Sequence, residues 1–214
     1  MSRALIIAVD GPTASGKGTI ARGLARHFDL PHLDTGLLYR AVGRQCQLDG
    51  GNPDDPADAQ AAANFADSLL ADPALRGEET GGLASRVSVH GGVRQALFER
   101  QRVFATRPGG AVLDGRDIGT VIAPEAQAKL FVTASVKARA QRRFLEMQAR
   151  GLVATLDEIE TDLAARDERD RTRKEAPLVA APDAMLLDNS ELSAETSIAE
   201  AIRLVEGRLA QERS

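Results

Sequence analysis

Cysteine is almost absent from this chain of 214 residues: the single one, Cys46, excludes an internal disulfide and any zinc site built on cysteine spacing. A small buried side chain is the role that remains for it. An excess of positive charge is lacking too. Lys and Arg number 27 against 31 Asp and Glu, a net charge of −4, so no general attraction draws the chain to nucleic acid or an anionic membrane. Any anion site must be local. The apolar opening stretch, residues 4–9, is too short to span a bilayer and carries no signal-peptide cleavage pattern. The expectation is a cytoplasmic enzyme with neither a membrane nor a nucleic-acid partner. Internal repeats and low-complexity tracts are also missing. The three histidines, His27, His32 and His90, lie in no convergent pattern, which gives them structural roles.

What is present is 43% hydrophobic residues in a length that suits one domain, here residues 1–214. Residues 4–10 are apolar and partly β-branched and run into Gly11-Pro12, the pattern of a buried strand entering a tight turn. From 17 to 28, Ile20, Leu24 and Phe28 recur at helical spacing. Further strands are expected at 32–35, 111–114, 129–133 and 184–188, and helices at 37–46, 57–71, 93–106, 135–149, 155–174 and 194–208. Residues 49–56 are dense in turn formers, and glycines at 77–82 predict a second break. Strands alternating with helices predict an α/β domain of three layers around a parallel sheet. The stretches near 49–56 and 150–174 are excursions from it, neither long enough for a second domain.

Between the first strand and the first helix lies Gly11-Pro12-Thr13-Ala14-Ser15-Gly16-Lys17-Gly18-Thr19, which has the spacing G-x-x-x-x-G-K in the strand–loop–helix context that a P-loop requires. Its glycines let successive N–H groups point inward at phosphate oxygens, and the helix starting near Lys17 adds its positive dipole end. Lys17 supplies a full charge at the β and γ phosphates of a nucleoside triphosphate, ATP above all. The residue after Lys17 is Gly18, where the usual loop has the Ser or Thr that ligates Mg2+, and Thr19 comes one place later. This ending resembles that of nucleoside monophosphate kinases, which hold the metal largely through water. No direct protein ligand is therefore expected; Asp114, at a strand end, either orients metal-bound waters or closes a turn.

Four segments resemble bacterial cytidylate kinases: the loop 11–19, Leu33-Asp34-Thr35-Gly36-Leu37-Leu38-Tyr39-Arg40, Asp114-Gly115-Arg116-Asp117-Ile118-Gly119-Thr120-Val121, and Arg166-Asp167-Glu168-Arg169-Asp170-Arg171-Thr172-Arg173 with Ala176-Pro177-Leu178 behind it. The likeness runs through nearly the whole chain, and D-G-R-D-x-G-T is specific to this family among kinases. It implies a three-layer P-loop NTPase fold with a five-stranded parallel sheet, a monophosphate-binding insert near 36–93 and a helical lid near 150–174. It implies in-line transfer of the γ-phosphoryl group of ATP to CMP or dCMP with Mg2+, a step of pyrimidine metabolism, by a monomer. Here the insert is short, whereas many members carry a small antiparallel sheet in it. Thr35 stands where other members have Ser and keeps the hydroxyl expected among the substrate-binding groups.

An acceptor monophosphate is a dianion and already nucleophilic, so this transfer needs positive charge and positioning more than a general base. Arg40 and Arg116 follow predicted strands closely and can grip the acceptor phosphate in bidentate fashion, or else form surface ion pairs. At about 100° per residue, Arg166, Arg169, Asp170 and Arg173 share one helix face, while Asp167, Arg171 and Lys174 lie on another that stays wet, with Asp167 and Arg171 placed for an i,i+4 pair. By the resemblance, Arg166 meets the phosphates and joins Lys17 and Arg116 as the catalytic set, Asp170 and Arg173 hold the acceptor ribose, and Ser85, Arg94 and Asp117 hold the base. Cytosine offers an amino donor at N4 and acceptors at N3 and O2, which suits a carboxylate beside an arginine and a hydroxyl. Ser85 could instead cap or turn, and Asp117 could pair with Arg116 or Arg94. Rival readings are a kinase of the same fold acting on UMP, dTMP or a sugar, and a nucleotide-binding regulatory module that transfers nothing.

Overall fold

A computed structural model describes residues 4–211; the outermost residues of the expected 1–214 domain lie outside the described ones. Five parallel strands form one sheet: β1 (Leu5–Asp10), β2 (His32–Asp34), β3 (Gly110–Gly115), β4 (Ala128–Thr133) and β5 (Met185–Asp188), in the order β2-β3-β1-β4-β5. β1 is buried on both faces, as its unbroken apolar run predicts. Ile7 and Val9 pack with Ala21, Leu24 and Val205 on one side, while Ile6 and Ala8 pack with Ala105 and Ile118 on the other. Two cores on opposite faces of one sheet make the three layers.

Helices α1 (Lys17–His27) and α8 (Ala194–Gln211) cover the first face, and α5 (Gly91–Ala105) the second. α2 (Thr35–Leu48), α3 (Pro56–Ala62) and α4 (Glu78–Val87) build a third core with α5, around Val42, Phe65, Leu75 and Val93. α6 (Val136–Ala149) and α7 (Leu156–Thr172) form an antiparallel pair with a small core at Ala140, Ile159 and Leu163. α7 starts at a capping box in which the Thr155 hydroxyl accepts from the Glu158 amide and the Glu158 carboxylate accepts from the Thr155 amide.

Two sequence expectations fail between α2 and α5. The helix expected at 57–71 stops at Ala62, and residues Asp67–Ala71 make only a short 3-10 turn. The break expected at 77–82 is instead the start of α4, with Glu78 and Glu79 in its first turn and Arg86 in its last, both favourable to the helix dipole. Its glycines serve packing: a Cβ on Gly81 would lie 3.1 Å from Arg40 Nη2 and 3.2 Å from Arg166 Nη1. Beyond β3 a single wide turn at Ile118–Ile122, unforeseen in the sequence, is held by Asp10, whose two carboxylate oxygens accept from the Ile118 and Gly119 amides at 2.8 Å each.

Candidate active site

The order β2-β3-β1-β4-β5 reverses direction at β1, and ligands of open α/β sheets bind beyond the strand ends at such a switch point. The loop 11–19 leaves β1 there. Gly11 has φ +155, and a Cβ on it would sit 2.0 Å from the Val132 carbonyl oxygen, so only glycine fits. Over this loop opens a cleft of about 360 Å³ lined by Thr13, Ala14, Gly16, Lys17 and Gly18. Gly11, Pro12, Ser15 and Thr19 of the expected loop set do not line it. Pro12 offers its carbonyl to Lys17 Nζ at 3.2 Å, and Thr19 faces a neighbouring hollow of about 160 Å³ with Gly16 and Asn189.

Every other site residue expected from the sequence lines the cleft: Thr35, Arg40, Ser85, Arg94, Asp114, Arg116, Asp117, Arg166, Asp170 and Arg173, whereas Arg169, placed on the same helix face, does not. Thr35 donates its hydroxyl to the Asp114 carbonyl at 2.9 Å. Arg116 bridges the loop and α7, donating from Nη2 to Thr13 Oγ1 at 2.5 Å and from Nε to Asp170 Oδ2 at 2.7 Å. Arg40 Nη1 donates to the carbonyls of Gly77 at 2.7 Å and Leu75 at 3.1 Å, which fixes the guanidinium from behind. Ser85 lies on α4 and accepts from Arg169 Nε at 3.1 Å, so it neither caps nor turns. Asp117 is paired with Arg94, one of the alternatives the sequence left open, and Arg173 Nη2 stands 3.6 Å from its other oxygen. The Arg94 guanidinium also lies 5.7 Å from the centre of the Tyr39 ring.

The helical wheel needs correcting. α7 ends at Thr172, and Arg173 follows in extended backbone. Asp167 is not wet: it is buried against Arg139 and not paired with Arg171, which meets Glu168 at 3.4 Å instead. His32 is not without a site connection either, since its Nε2 lies 2.6 Å from Asp114 Oδ1. Sequence reasoning also missed Asp34, Tyr39 and Arg143, all of which line the cleft. Tyr39 lies within a segment that carries the family resemblance and Asp34 beside Thr35, which was a usable signal. Arg143 gave none, lying in a helix whose many charges look alike.

Positive charge is concentrated where the arginines converge. Burial lowers Arg40, and the neighbouring cations Arg166, Arg143 and Arg116 lower it further against the opposing pull of Asp34. Burial, with Arg116 adding to it, brings Lys17 down to about 8, partly offset by Asp114, Asp34 and Asp170. Burial works to raise Asp170, but Arg116, Arg173 and Lys17 together outweigh it and hold the carboxyl below its ordinary range. Cations crowded closely enough to lower Arg40 and Lys17 form a site awaiting an anion.

A phosphate-cradling loop facing converged arginines, with no histidine among the cleft-lining residues, defines a phosphotransferase of the P-loop class. The sequence matches the family description "Cytidylate kinase" over residues 7–207. It is 55% identical to a cytidylate kinase of Caulobacter sp. strain K31 over 95% of this chain and 94% of that one, and 53% identical to one of Xanthobacter autotrophicus over 96% and 99%. A cytidylate kinase of Cereibacter sphaeroides is 54% identical over 97% of this chain and 98% of its own. The chain belongs to the cytidylate kinase family. The solved structure of an uncharacterized protein from Eubacterium ventriosum, 15% identical, superposes with a TM-score of 0.55 over 96% of this chain and 99% of that one, a likeness of fold alone.

Proposed function

We propose that this protein transfers the γ-phosphoryl group of ATP to CMP or dCMP, with the loop 11–19 holding the donor, residues near 36–93 the acceptor, and residues near 150–174 acting as the lid. The observation that carries the reading is the single cleft in which Lys17, Arg116 and Arg166 meet the Arg94–Asp117 pair. Lys17 and the loop amides take the β and γ phosphates. Arg40 and Arg116 take the acceptor phosphate, while Arg116 and Arg166 bear on the charge shared between the groups in transfer. Asp170 and Arg173 are positioned for the ribose, and Ser85, Arg94 and Asp117 for the cytosine edge. No general base is needed, because the acceptor oxygen is already anionic. The reading includes a monomer acting in the cytoplasm. Among the described residues no helix is long and apolar enough to cross a membrane.

The residues fit a magnesium ion. Asp114 has one oxygen tied to His32, while the other lies 3.6 Å from the position a Cβ on Gly18 would take, facing the loop. Burial and the Asp114 charge raise the Asp34 carboxyl, a repulsion that a hard divalent cation relieves. Asp114 and Asp34 would orient its water shell, and the ion would supply positive charge to the phosphates in transfer.

Measuring ADP release with a panel of monophosphates tests the reading: CMP and dCMP are expected to give fast turnover, UMP and dTMP slow. Turnover with none of them overturns it. The Arg40 assignment has its own check in Gly81→Ala. The new methyl presses on the guanidinium ends of Arg40 and Arg166, the nearest atoms it meets, while alanine favours a helix by about 0.5–1 kcal/mol over glycine. The variant should melt no lower than the parent, while its KM for CMP rises about 10-fold, equivalent to about 1.4 kcal/mol. An unchanged KM would remove Arg40 from the acceptor site.

A further inference from the structure

Thr13 of the phosphate loop is gripped from two sides by arginines, and each arginine is held by an aspartate on the same turn of α7. On one side Arg116 joins the Thr13 hydroxyl to Asp170, within the cleft. On the other, outside the cleft, stands Arg139 of α6, whose side chain is 2% exposed. Arg139 Nε donates to the Ala134 carbonyl at 2.9 Å, and Nη1 donates to the Thr13 carbonyl at 3.0 Å and to Asp167 Oδ1 at 3.1 Å. Nη2 completes the fork to Asp167 Oδ2 at 2.5 Å. The hydroxyl and the carbonyl of Thr13 are therefore both set by where α7 lies.

The function proposed above gives Arg139 and Asp167 no role. A bidentate buried pair resists being pulled apart, because either partner left alone is an uncompensated charge in a low-dielectric surround. α7 cannot shift away from the loop without breaking either this pair or the Arg139 bond to the Thr13 carbonyl, and the loop cannot change shape at Thr13 without loading the same bond from the other end. We propose that Arg139 and Asp167 are positioning residues that couple the lid helix to the phosphate loop, so that donor and acceptor nucleotides bind with positive cooperativity. The inference rests on the functional reading, since Asp170, on the same turn of α7, is there assigned to the acceptor. Donor phosphates set the loop, the loop sets Thr13, and Thr13 through Arg139 sets the turn of α7 that carries Asp170. Linkage makes the effect reciprocal: each nucleotide must tighten the other by the same factor.

The test is calorimetric titration of CMP into the intact protein with and without a saturating non-hydrolysable ATP analogue, and the reverse titration. A coupling factor of about 5-fold or more, equal in both directions, is expected for the parent protein. Asp167→Asn keeps the volume and one acceptor oxygen but removes the charge, and should bring the factor towards 1 while each nucleotide alone binds within about 3-fold of its parent affinity. The double variant Arg139→Met with Asp167→Leu replaces the pair by apolar groups, a change that buried pairs tolerate well, and leaves the Thr13 carbonyl without its donor. It separates coupling from stability: a melting temperature at or above the parent's with the factor still lost supports the proposal. A merely structural pair would give the opposite, a double variant that keeps the parent's factor, and that result overturns the proposal, as does a parent protein with a factor of 1. Should CMP and dCMP be turned over normally while the variants keep full coupling, this inference alone falls; should neither monophosphate bind, the functional reading falls and takes it along.

Discussion

Lys17→Ala is expected to lower kcat more than 100-fold, the rate equivalent of about 3 kcal/mol, while the protein stays folded. Two features of the site argue for this split. Lys17 lines the cleft at the start of α1, with its ammonium on the Pro12 carbonyl and within the field of Asp34, Asp114 and Asp170. Burial dominates its surroundings and brings its titration down to about 8, so the native fold bears a desolvated cation that an alanine does not require. Thermal melting should therefore move by no more than about 4 °C. The depressed value also has a pH signature. Below about 8 the lysine is charged in the free protein; above it the lysine is neutral, and the triphosphate must restore the proton as it binds. Calorimetry in buffers of different ionisation enthalpy should show proton uptake with ATP near about pH 8.5 that fades near about pH 6.5, with the uptake missing in Lys17→Ala. Near-normal turnover by the variant would sink the phosphate-loop assignment itself.

Asp117→Asn should lower the preference for CMP over UMP by about 10-fold or more, the equivalent of about 1.4 kcal/mol. Cytosine N4 is a donor, and uracil O4 at the same place sets an acceptor against a carboxylate. Asparagine can turn either its oxygen or its NH₂ to the base, so efficiency with CMP should fall and that with UMP fall less or rise. The structure sharpens the expectation, since Asp117 is buried, is fixed by Arg94, and stands with Arg173 near its second oxygen. Removing its charge leaves Arg94 without its carboxylate partner, so a melting curve must accompany kcat/KM for both monophosphates. A folded variant with an unchanged ratio would reduce Asp117 to a partner of Arg94.

The phosphate loop was legible because everything it needs is consecutive: an apolar run, nine residues with glycines at fixed places, and a helical repeat behind them. The alternation of strands and helices was legible for the same reason, since period and turn residues report local backbone preferences. Where local preference and packing disagreed, packing won. Of the glycines that predict a break at 77–82, Gly77 caps α4 while Gly81 and Gly82 lie within it, because Gly43 on α2 admits Leu83 at a distance no side chain would permit and Gly81 makes room for Arg40 and Arg166.

Sequence by itself thus determined the reaction class, the loop that performs it and the α/β layering, all properties of contiguous residues. Tertiary structure alone decided the partners. Arg94 meets Asp117, Arg116 meets Asp170, Arg139 meets Asp167 and His32 meets Asp114 across gaps of 23, 54, 28 and 82 residues. No periodicity in the chain encodes such pairs. They arise because the strand order gathers at one switch point the ends of β1, β2 and β3, and the helices packed above them bring their charges to the same place, where burial forces each to find an opposite.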